Sequence, residues 1–370
     1  MRSVALYGST GSIGKMTLEV IEQHPTQFRI SALIAHKSCD TLIDQALKFK
    51  PKMVVLTDPD AANEASRRLT CPVLTGKKGL ISALDGCDLM VQALASTIGI
   101  EATLEAAKRK IPIAIANKET IIAAHHLLKP FEPILKPIDS EHNSLFRLFE
   151  QQRPCSITIT GSGGPFLNVP LQDLPKMNLK NALNHPNWAM GYHNTINSST
   201  MFNKALEVME AFYLFDMVPS ALIEPSSRIH AIADYDDGMT KMVGYEPDMR
   251  IPIAYALGVS YDSQNLFKKP LRLLEKFEFF PIEANRYPLF QLGYEAIKNR
   301  VAPIYLTFLN EFLVEDFLKE KISWLELQQL VIKGFDLLPN IQIDSVEAIE
   351  ELKKITKSIH TCITSTSCTV

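Results

Sequence analysis

The stretch Gly8-Ser9-Thr10-Gly11-Ser12-Ile13-Gly14 limits what this chain can fold into more than any other. It follows Arg2 to Tyr7, which reads as a short buried strand, and it opens a helix beginning near Lys15. Glycines spaced at three allow a tight turn and close backbone approach, so an anionic group can sit on the helix N-terminus. A second strand, Phe28 to Ala35, completes a β-α-β unit, and parallel strands need crossover connections that cover both faces of the sheet. The chain supplies them. Met53 to Thr57, Leu89 to Leu94, Ile111 to Ala116 and Ile134 to Ile138 read as further strands, separated by helical segments such as Thr41 to Phe49, Ala61 to Leu69 and Gly99 to Lys108. Residues 1–139 are therefore expected to form one open, doubly wound parallel sheet.

A sheet of this Rossmann type with a glycine-rich first turn binds dinucleotides, and Gly8, Thr10, Gly11, Ser12 and Ile13 are the candidate contacts. The end of the second strand indicates which one. Sites for NAD usually place an acid there to bind the ribose 2′-hydroxyl, whereas a 2′-phosphate needs positive charge. Here the residues are Ala35-His36-Lys37-Ser38, with no carboxylate until Asp40. NADPH is the expected cofactor, with Lys37, flanked by Ser38, nearest the 2′-phosphate; an ordinary solvated lysine is the alternative. Asn117-Lys118-Glu119, at the end of the strand from Ile111, should face the nicotinamide crevice.

The strand ending at Ile138 runs into Asp139-Ser140-Glu141-His142-Asn143. Ligands bind at the carboxyl ends of the strands in open α/β sheets. If the chain stays extended, Asp139 and Glu141 point the same way and can grip one hard cation. A polar turn with both acids in solvent is the alternative.

Beyond Glu141 the pattern changes. Ser156 to Thr160 alternates as a strand and meets Gly161-Ser162-Gly163-Gly164-Pro165-Phe166, whose glycines permit either a backbone nest for an anion or a plain tight turn. His185-Pro186-Asn187-Trp188-Ala189-Met190-Gly191 can act as a lid whose indole covers a substrate, or Trp188 can anchor its own domain. Asn197 to Thr200 offers N-cap candidates for a helix from Met201 to Phe215. On it Asn203, Lys204 and Glu207 share one face, suited to phosphate and to a carboxylate cage, or else to solvent. Ile229 to Ala233 and Thr240 to Val243 read as a hairpin. From Tyr287 onward the chain reads as helices over Pro288 to Asn299, Ala302 to Lys319, Trp324 to Phe335 and Ser345 to His360. Capping boxes stand at Ser323-x-x-Glu326 and Asp344-x-x-Glu347, and Thr361 to Val370 is expected to fray. This divides the chain into a dinucleotide domain (1–139), an α/β catalytic domain (140–260) with a flap at 184–194, a linker (261–286) and a C-terminal helical bundle domain (287–370).

Composition narrows the class. A chain of 370 residues exceeds one hydrophobic core, and a net charge of −3 gives no footprint for nucleic acid. No apolar run approaches a membrane span, and the first strand begins too early for a targeting segment, so a cytoplasmic protein is expected. The six cysteines are scattered, with no zinc spacing.

Taken in order, Gly8 to Gly14, Asn117-Lys-Glu119, Pro137-Ile-Asp-Ser-Glu-His-Asn143, Gly161 to Phe166, His185 to Gly191, Met201-Phe-Asn-Lys-Ala-Leu-Glu207 and Glu246-Pro-Asp-Met-Arg250 closely resemble the 1-deoxy-D-xylulose 5-phosphate reductoisomerases. The resemblance implies Asp139, Glu141 and Glu207 as ligands of Mg²⁺, Mn²⁺ or Co²⁺, with Lys118 and Glu141 in the catalytic machinery. It also implies that Ser162, Ser198, Asn203 and Lys204 hold the phosphate of a small sugar substrate, and that Ser140 and Lys118 contact its hydroxyls. His185, Trp188 and Gly191 would belong to the closing flap, with Gly191, Asn117, Glu119 and Met249 toward the cofactor. The family further implies a homodimer and a rearrangement followed by hydride transfer, for which retro-aldol and migration routes both suit these residues. The sequence departs from the family at Tyr192-His193-Asn194-Thr195, where basic residues are usual, and at Ser38 in place of a common Asn. The stretch between Asn143 and Ser156 is also short. Another NADPH-dependent dehydrogenase and a non-catalytic dinucleotide sensor are the competing readings; neither accounts for three converging carboxylates.

Overall fold

The computed structural model of the protein describes residues 1–131, 134–150, 152–188, 191–260 and 276–365. These fall into two compact units, one of residues 1–120, 124–146 and 248–260, the other of 121–123, 147–247 and 276–365. Most of the expected linker, residues 261–275, lies outside the described residues, as do Ala189 and Met190 of the flap.

The first unit is built on seven strands: β1 (Arg2–Tyr7), β2 (Phe28–Ala35), β3 (Met53–Leu56), β4 (Val73–Leu74), β5 (Leu89–Gln92), β6 (Ile113–Ile115) and β7 (Leu135–Pro137). Their order is β4-β3-β2-β1-β5-β6-β7 and every pairing is parallel. The order reverses between β1 and β5, which puts the glycine loop after β1 at the switch point where ligands bind such sheets. Strands buried on both faces read as continuous apolar runs, as Val4 to Tyr7 and Ala32 to Ala35 do here. The helices between them are α1 (Ser12–Glu22), α2 (Cys39–Phe49), α3 (Pro59–Arg68), α4 (Gly76–Ser82), α5 (Ile100–Lys108), α6 (Lys118–Leu128) and α7 (Ser140–Phe149).

In the second unit β8 (Ser156–Gly161) is followed by α8 (Leu179–Ala182), α9 (Tyr192–Ser199) and α10 (Phe202–Phe215). Strands β9 (Ser220–Ile223), β10 (Ile229–Asp234) and β11 (Thr240–Gly244) come next; the chain then returns to the first unit as α11 (Arg250–Leu257). Strand β12 (Phe280–Pro281) completes a mixed sheet of order β11-β10-β8-β9-β12, in which only β8 and β9 pair in parallel. Helices α12 (Pro288–Ala296), α13 (Ala302–Leu318), α14 (Trp324–Phe335) and α15 (Val346–Thr364) form the C-terminal bundle. The α/β architecture with a helical C-terminal domain is as expected.

Several local expectations need correction. Helix α1 begins at Ser12, not near Lys15, so Gly14 lies inside its first turn, where a Cβ would stand 2.2 Å from the Gly8 carbonyl oxygen. Asn197, Ser198 and Ser199 do not cap α10; they form the end of α9, and α10 is entered through Met201 in the left-handed region at φ 57°. Their polar groups are used elsewhere. Asn310 donates to Asn197 at 2.8 Å and the Trp324 indole N–H to Ser199 at 3.0 Å. The capping box at Ser323 and Glu326 is present, but α15 is capped by Ser345, whose hydroxyl accepts from Ala348, in place of the expected Asp344. Helix α15 runs on to Thr364, because its last turns still bury Ile363 and His360.

Candidate active site

The dinucleotide signal is physically consistent at the first unit's glycine loop. Gly8 sits at φ 87°, and a Cβ there would lie 2.3 Å from the Ala93 carbonyl oxygen, so no other residue fits. The N–H groups of Gly8 and Ser9 both donate to Ile34 O at 2.9 Å, which locks the loop to the end of β2. Gly11 and Ser12 are exposed at the start of α1, leaving the positive end of the helix open to an anion. At the next strand end Lys37 is 69% exposed and forms a 3.8 Å ion pair with Asp58, and His36 Nδ1 is 2.7 Å from Thr57 Oγ1. Asp58, which caps α3, was not singled out from the sequence because it comes from the third strand end. The Ala61 N–H and then the neighbouring Lys37 ammonium hold its carboxyl below the usual range. Ser38 is exposed at the N-cap of α2.

The ends of β6 and β7 bring two predicted residues together. Asn117 caps α6, its side chain accepting from Thr120 and donating to Leu94 O at 2.5 Å and Ser96 O at 3.0 Å; it works as a buried strap for the loop after β5. Lys118, the next residue, forms a buried ion pair with Asp139, and Glu119 follows in the same first turn, half-buried. Asp139 in turn accepts from the Glu141 N–H at 3.3 Å and lies 3.1 Å from His142 Nδ1. Ser140 donates to Glu141 Oε2 at 2.5 Å. The chain is not extended here: α7 begins at Ser140, so Asp139 stands at the helix entrance and Glu141 in its first turn. Both acids therefore lie at the positive end of the α7 dipole, not on alternate positions of a strand. Met249 stands at the N-cap of α11, partly buried against the core of this unit.

In the second unit the loop after β8 gathers the remaining candidates. A Cβ on Gly161 would lie 2.8 Å from Lys204 Cε, Ser162 Oγ is 3.2 Å from His185 Nε2, and a Cβ on Gly164 would lie 2.4 Å from Ser198 O. Gly163 and Gly164 have φ of 82° and 68°, the left-handed backbone a nest requires. Lys204 donates to Thr160 O and to Glu207 Oε2, and Asn203 to the other Glu207 oxygen. The solvated-face reading of this helix fails: Lys204 and Glu207 side chains are 5% and 3% exposed. Burial holds His185 down to about 4, so its imidazole is neutral at pH 7. Trp188 is half-buried with its ring 6.3 Å from His230, and Gly191 is exposed as the N-cap of α9. Two acids not found from the sequence, Glu224 and Glu315, support this loop region. Buried Glu224 accepts from Ser226, Arg228 and Ile229, and His193 reaches Glu315 at 2.7 Å; neither belongs to a motif that a single sequence displays.

The chain matches three family models: 1-deoxy-D-xylulose 5-phosphate reductoisomerase over residues 4–125, its C-terminal domain over 135–215, and the DXP reductoisomerase C-terminal domain over 245–359. Among curated relatives it is 37% identical to the 1-deoxy-D-xylulose 5-phosphate reductoisomerase of Trichlorobacter lovleyi, covering 95% of this chain and 94% of the relative. It is 36% identical to the enzyme of the same name from Protochlamydia amoebophila, covering 94% and 95%. Its fold is similar to a crystal structure of DOX-P reductoisomerase in complex with NADPH, fosmidomycin and magnesium, with a TM-score of 0.90 at 30% identity over 98% of each chain. The reductoisomerase of Zymomonas mobilis in complex with NADPH aligns with a TM-score of 0.88 at 29% identity over 99% of each chain. No helix among the described residues is long and apolar enough to cross a membrane.

Proposed function

This chain belongs to the 1-deoxy-D-xylulose 5-phosphate reductoisomerase family, and from that premise we propose roles for the residues placed above. The enzyme is an NADP-dependent oxidoreductase. It converts 1-deoxy-D-xylulose 5-phosphate to 2-C-methyl-D-erythritol 4-phosphate with NADPH and a divalent cation, in isoprenoid precursor biosynthesis.

Asp139, Glu141 and Glu207 are assigned to the cation. The donor set suits it: three carboxylates are hard ligands for Mg²⁺ or Mn²⁺, and Asp139 and Glu207 each stand beside a lysine that offsets their charge. When bound, the cation supplies Lewis acidity at the substrate's carbonyl and adjacent hydroxyl oxygens, and NADPH supplies the hydride. The protein's own groups do the rest. Lys204, Asn203, Ser162 and Ser198 bind the phosphate, remote from the reacting carbons, so its binding energy is available for closing the flap and orienting the substrate. Lys118 and Ser140 hold hydroxyls. Trp188 and His185 close over the substrate and keep water from it. Gly8, Thr10, Gly11, Ser12 and Ile13 receive the pyrophosphate, Lys37 and Ser38 the 2′-phosphate, and Asn117, Glu119, Gly191 and Met249 the nicotinamide side. The division at 1–139, 140–260 and 287–370 is proposed as cofactor, catalytic and helical parts of a cytoplasmic homodimer.

The observation that carries the residue roles is the pair of buried lysine–carboxylate contacts, Lys118 with Asp139 and Lys204 with Glu207, on motifs that the family models span. The test is NADPH oxidation with 1-deoxy-D-xylulose 5-phosphate and Mg²⁺, with and without chelator. Oxidation that persists without the sugar phosphate or after chelation overturns the reading. Replacing Lys37 by Glu should weaken NADPH relative to NADH, and an unchanged preference removes Lys37 from the 2′-phosphate.

A further inference from the structure

His185 is hydrogen-bonded at both ring nitrogens, and the partners leave one arrangement of its protons. Nδ1 is 3.2 Å from the backbone nitrogen of Asn187 and 2.9 Å from that of Trp188. Both are donors, so Nδ1 accepts and carries no hydrogen. A neutral imidazole then has its hydrogen on Nε2, which is 3.2 Å from Ser162 Oγ. The ring therefore donates and the serine oxygen accepts. The same oxygen accepts from the Gly164 N–H at 3.1 Å. With two donors aimed at its lone pairs, the Ser162 hydroxyl directs its own hydrogen at neither partner.

We propose that His185 is a positioning residue: its Nδ1 closes the turn that carries Trp188, while its Nε2–H turns the Ser162 hydroxyl into a donor toward the substrate phosphate. The second half rests on the phosphate role given to Ser162 above. Two further observations support it. The turn is pinned at its other corner, where Asn187 Nδ2 donates to Pro225 O at 2.7 Å and to Ser227 Oγ at 2.8 Å. Burial disfavours the imidazolium, in which Nδ1 would become a third donor facing two. His185 thus links the turn that carries Trp188 to the phosphate loop, through one hydrogen-bonded nitrogen on each side of its ring.

Two near-isosteres separate its tasks. Asn places an oxygen where Nδ1 stands and reaches no further; Gln places an amide N–H near Nε2 and offers nothing at Nδ1. In the full-length enzyme with NADPH and Mg²⁺, His185→Asn should keep kcat within about threefold while KM for the sugar phosphate rises about tenfold, one hydrogen bond's worth. His185→Gln should show the reverse split, with KM nearly kept and kcat reduced about tenfold or more. Equal losses in both parameters for both variants would mean a merely structural histidine and overturn the proposal. Imidazole ¹⁵N shifts of the unliganded protein near pH 7 give a readout apart from activity: an unprotonated Nδ1 is expected, and a protonated one overturns the proposal. Ser162→Ala tests the underlying role by itself. If it leaves KM unchanged, Ser162 does not hold phosphate and the aiming half falls, whatever tautomer the ring adopts.

Discussion

Two lysine–carboxylate pairs stand in the two units, and they are built in opposite ways. Lys118 and Asp139 come from the ends of neighbouring parallel strands, β6 and β7, with side chains 10% and 12% exposed. Lys204 and Glu207 lie one turn apart on a single helix that is buried nearly all round. The first pair uses a place that every open parallel sheet provides, the carboxyl ends of its strands. The second exists only because its neighbours were shaped to admit it, Gly161 above all, where any side chain would meet Lys204. Position comes with the topology in one case and with residue-by-residue packing in the other.

Removing each lysine is the strongest way to break this contrast. Lys204→Ala strands Glu207 in the interior, and losing one partner of a buried pair costs about 3–5 kcal/mol. Lys118→Ala should cost clearly less, because its site lies nearer water. Urea denaturation of both variants measures this, and equal losses would erase the distinction. Next in size, Glu207→Gln should raise the Mg²⁺ concentration for half-maximal activity about 10- to 100-fold, comparable to losing a metal-site group. An unchanged Mg²⁺ titration takes Glu207 out of the cation site.

A smaller effect comes from His185, beside the second pair's loop. Its folded pKa of about 4 lies below an unfolded value of about 6.5, so the unfolded chain binds more protons between these values. Stability from this group is therefore intact above pH 6.5 and falls as the pH drops toward 4, by about 2 kcal/mol between pH 7 and pH 5. His185→Asn should flatten that part of the pH–stability curve; an identical slope would mean the ring does not sense burial. The smallest change expected is Gly161→Ala, about 1 kcal/mol, since the added methyl meets only the end of the Lys204 stem and displaces it within its ion pair. A weakened KM with near-normal stability would show that the glycine serves the position of Lys204 more than the fold.

The same contrast explains what could be read in the chain beforehand. The parallel sheet, its switch point and the strand-end residues Lys118 and Asp139 were legible because β-α-β periodicity and a glycine turn determine them together. Helices α12 to α15 were legible from apolar spacing and from the Ser323 capping box. Helix α9 was not. Its residues, Tyr-His-Asn-Thr-Ile-Asn-Ser-Ser, are poor helix formers whose short polar side chains compete with the backbone. It is held by tertiary bonds from Glu315, Asn310 and Trp324, none of which a local pattern contains. The short strands β4, β9 and β12 were missed for a related reason: β4 and β12 are two residues each and β9 is half-exposed, so none shows the continuous buried apolar run that marks β3 and β5. Glu141 and Glu207 were read less well: the first was expected on an extended strand and stands in a helix, and the second lay among residues that also read as a solvated face and is buried.

One detail of the chain path bears on how the molecule is made. Helix α11 packs its Ile253, Ala254, Ala256 and Leu257 into the same core as Leu18 and Ile21 of α1, and Arg2 donates to Leu257 O at 2.5 Å. Every strand of the parallel sheet precedes residue 138, yet the helix that seals α1 is synthesised only after the whole of β8 to β11. Protein emerges from the ribosome N-terminus first. The nascent sheet must therefore wait, with an apolar groove open along α1, until a distant segment of the same chain arrives to cover it. During that interval the apolar side of α1 that α11 later covers is open to solvent, and a polypeptide ending after β7 would lack its cover.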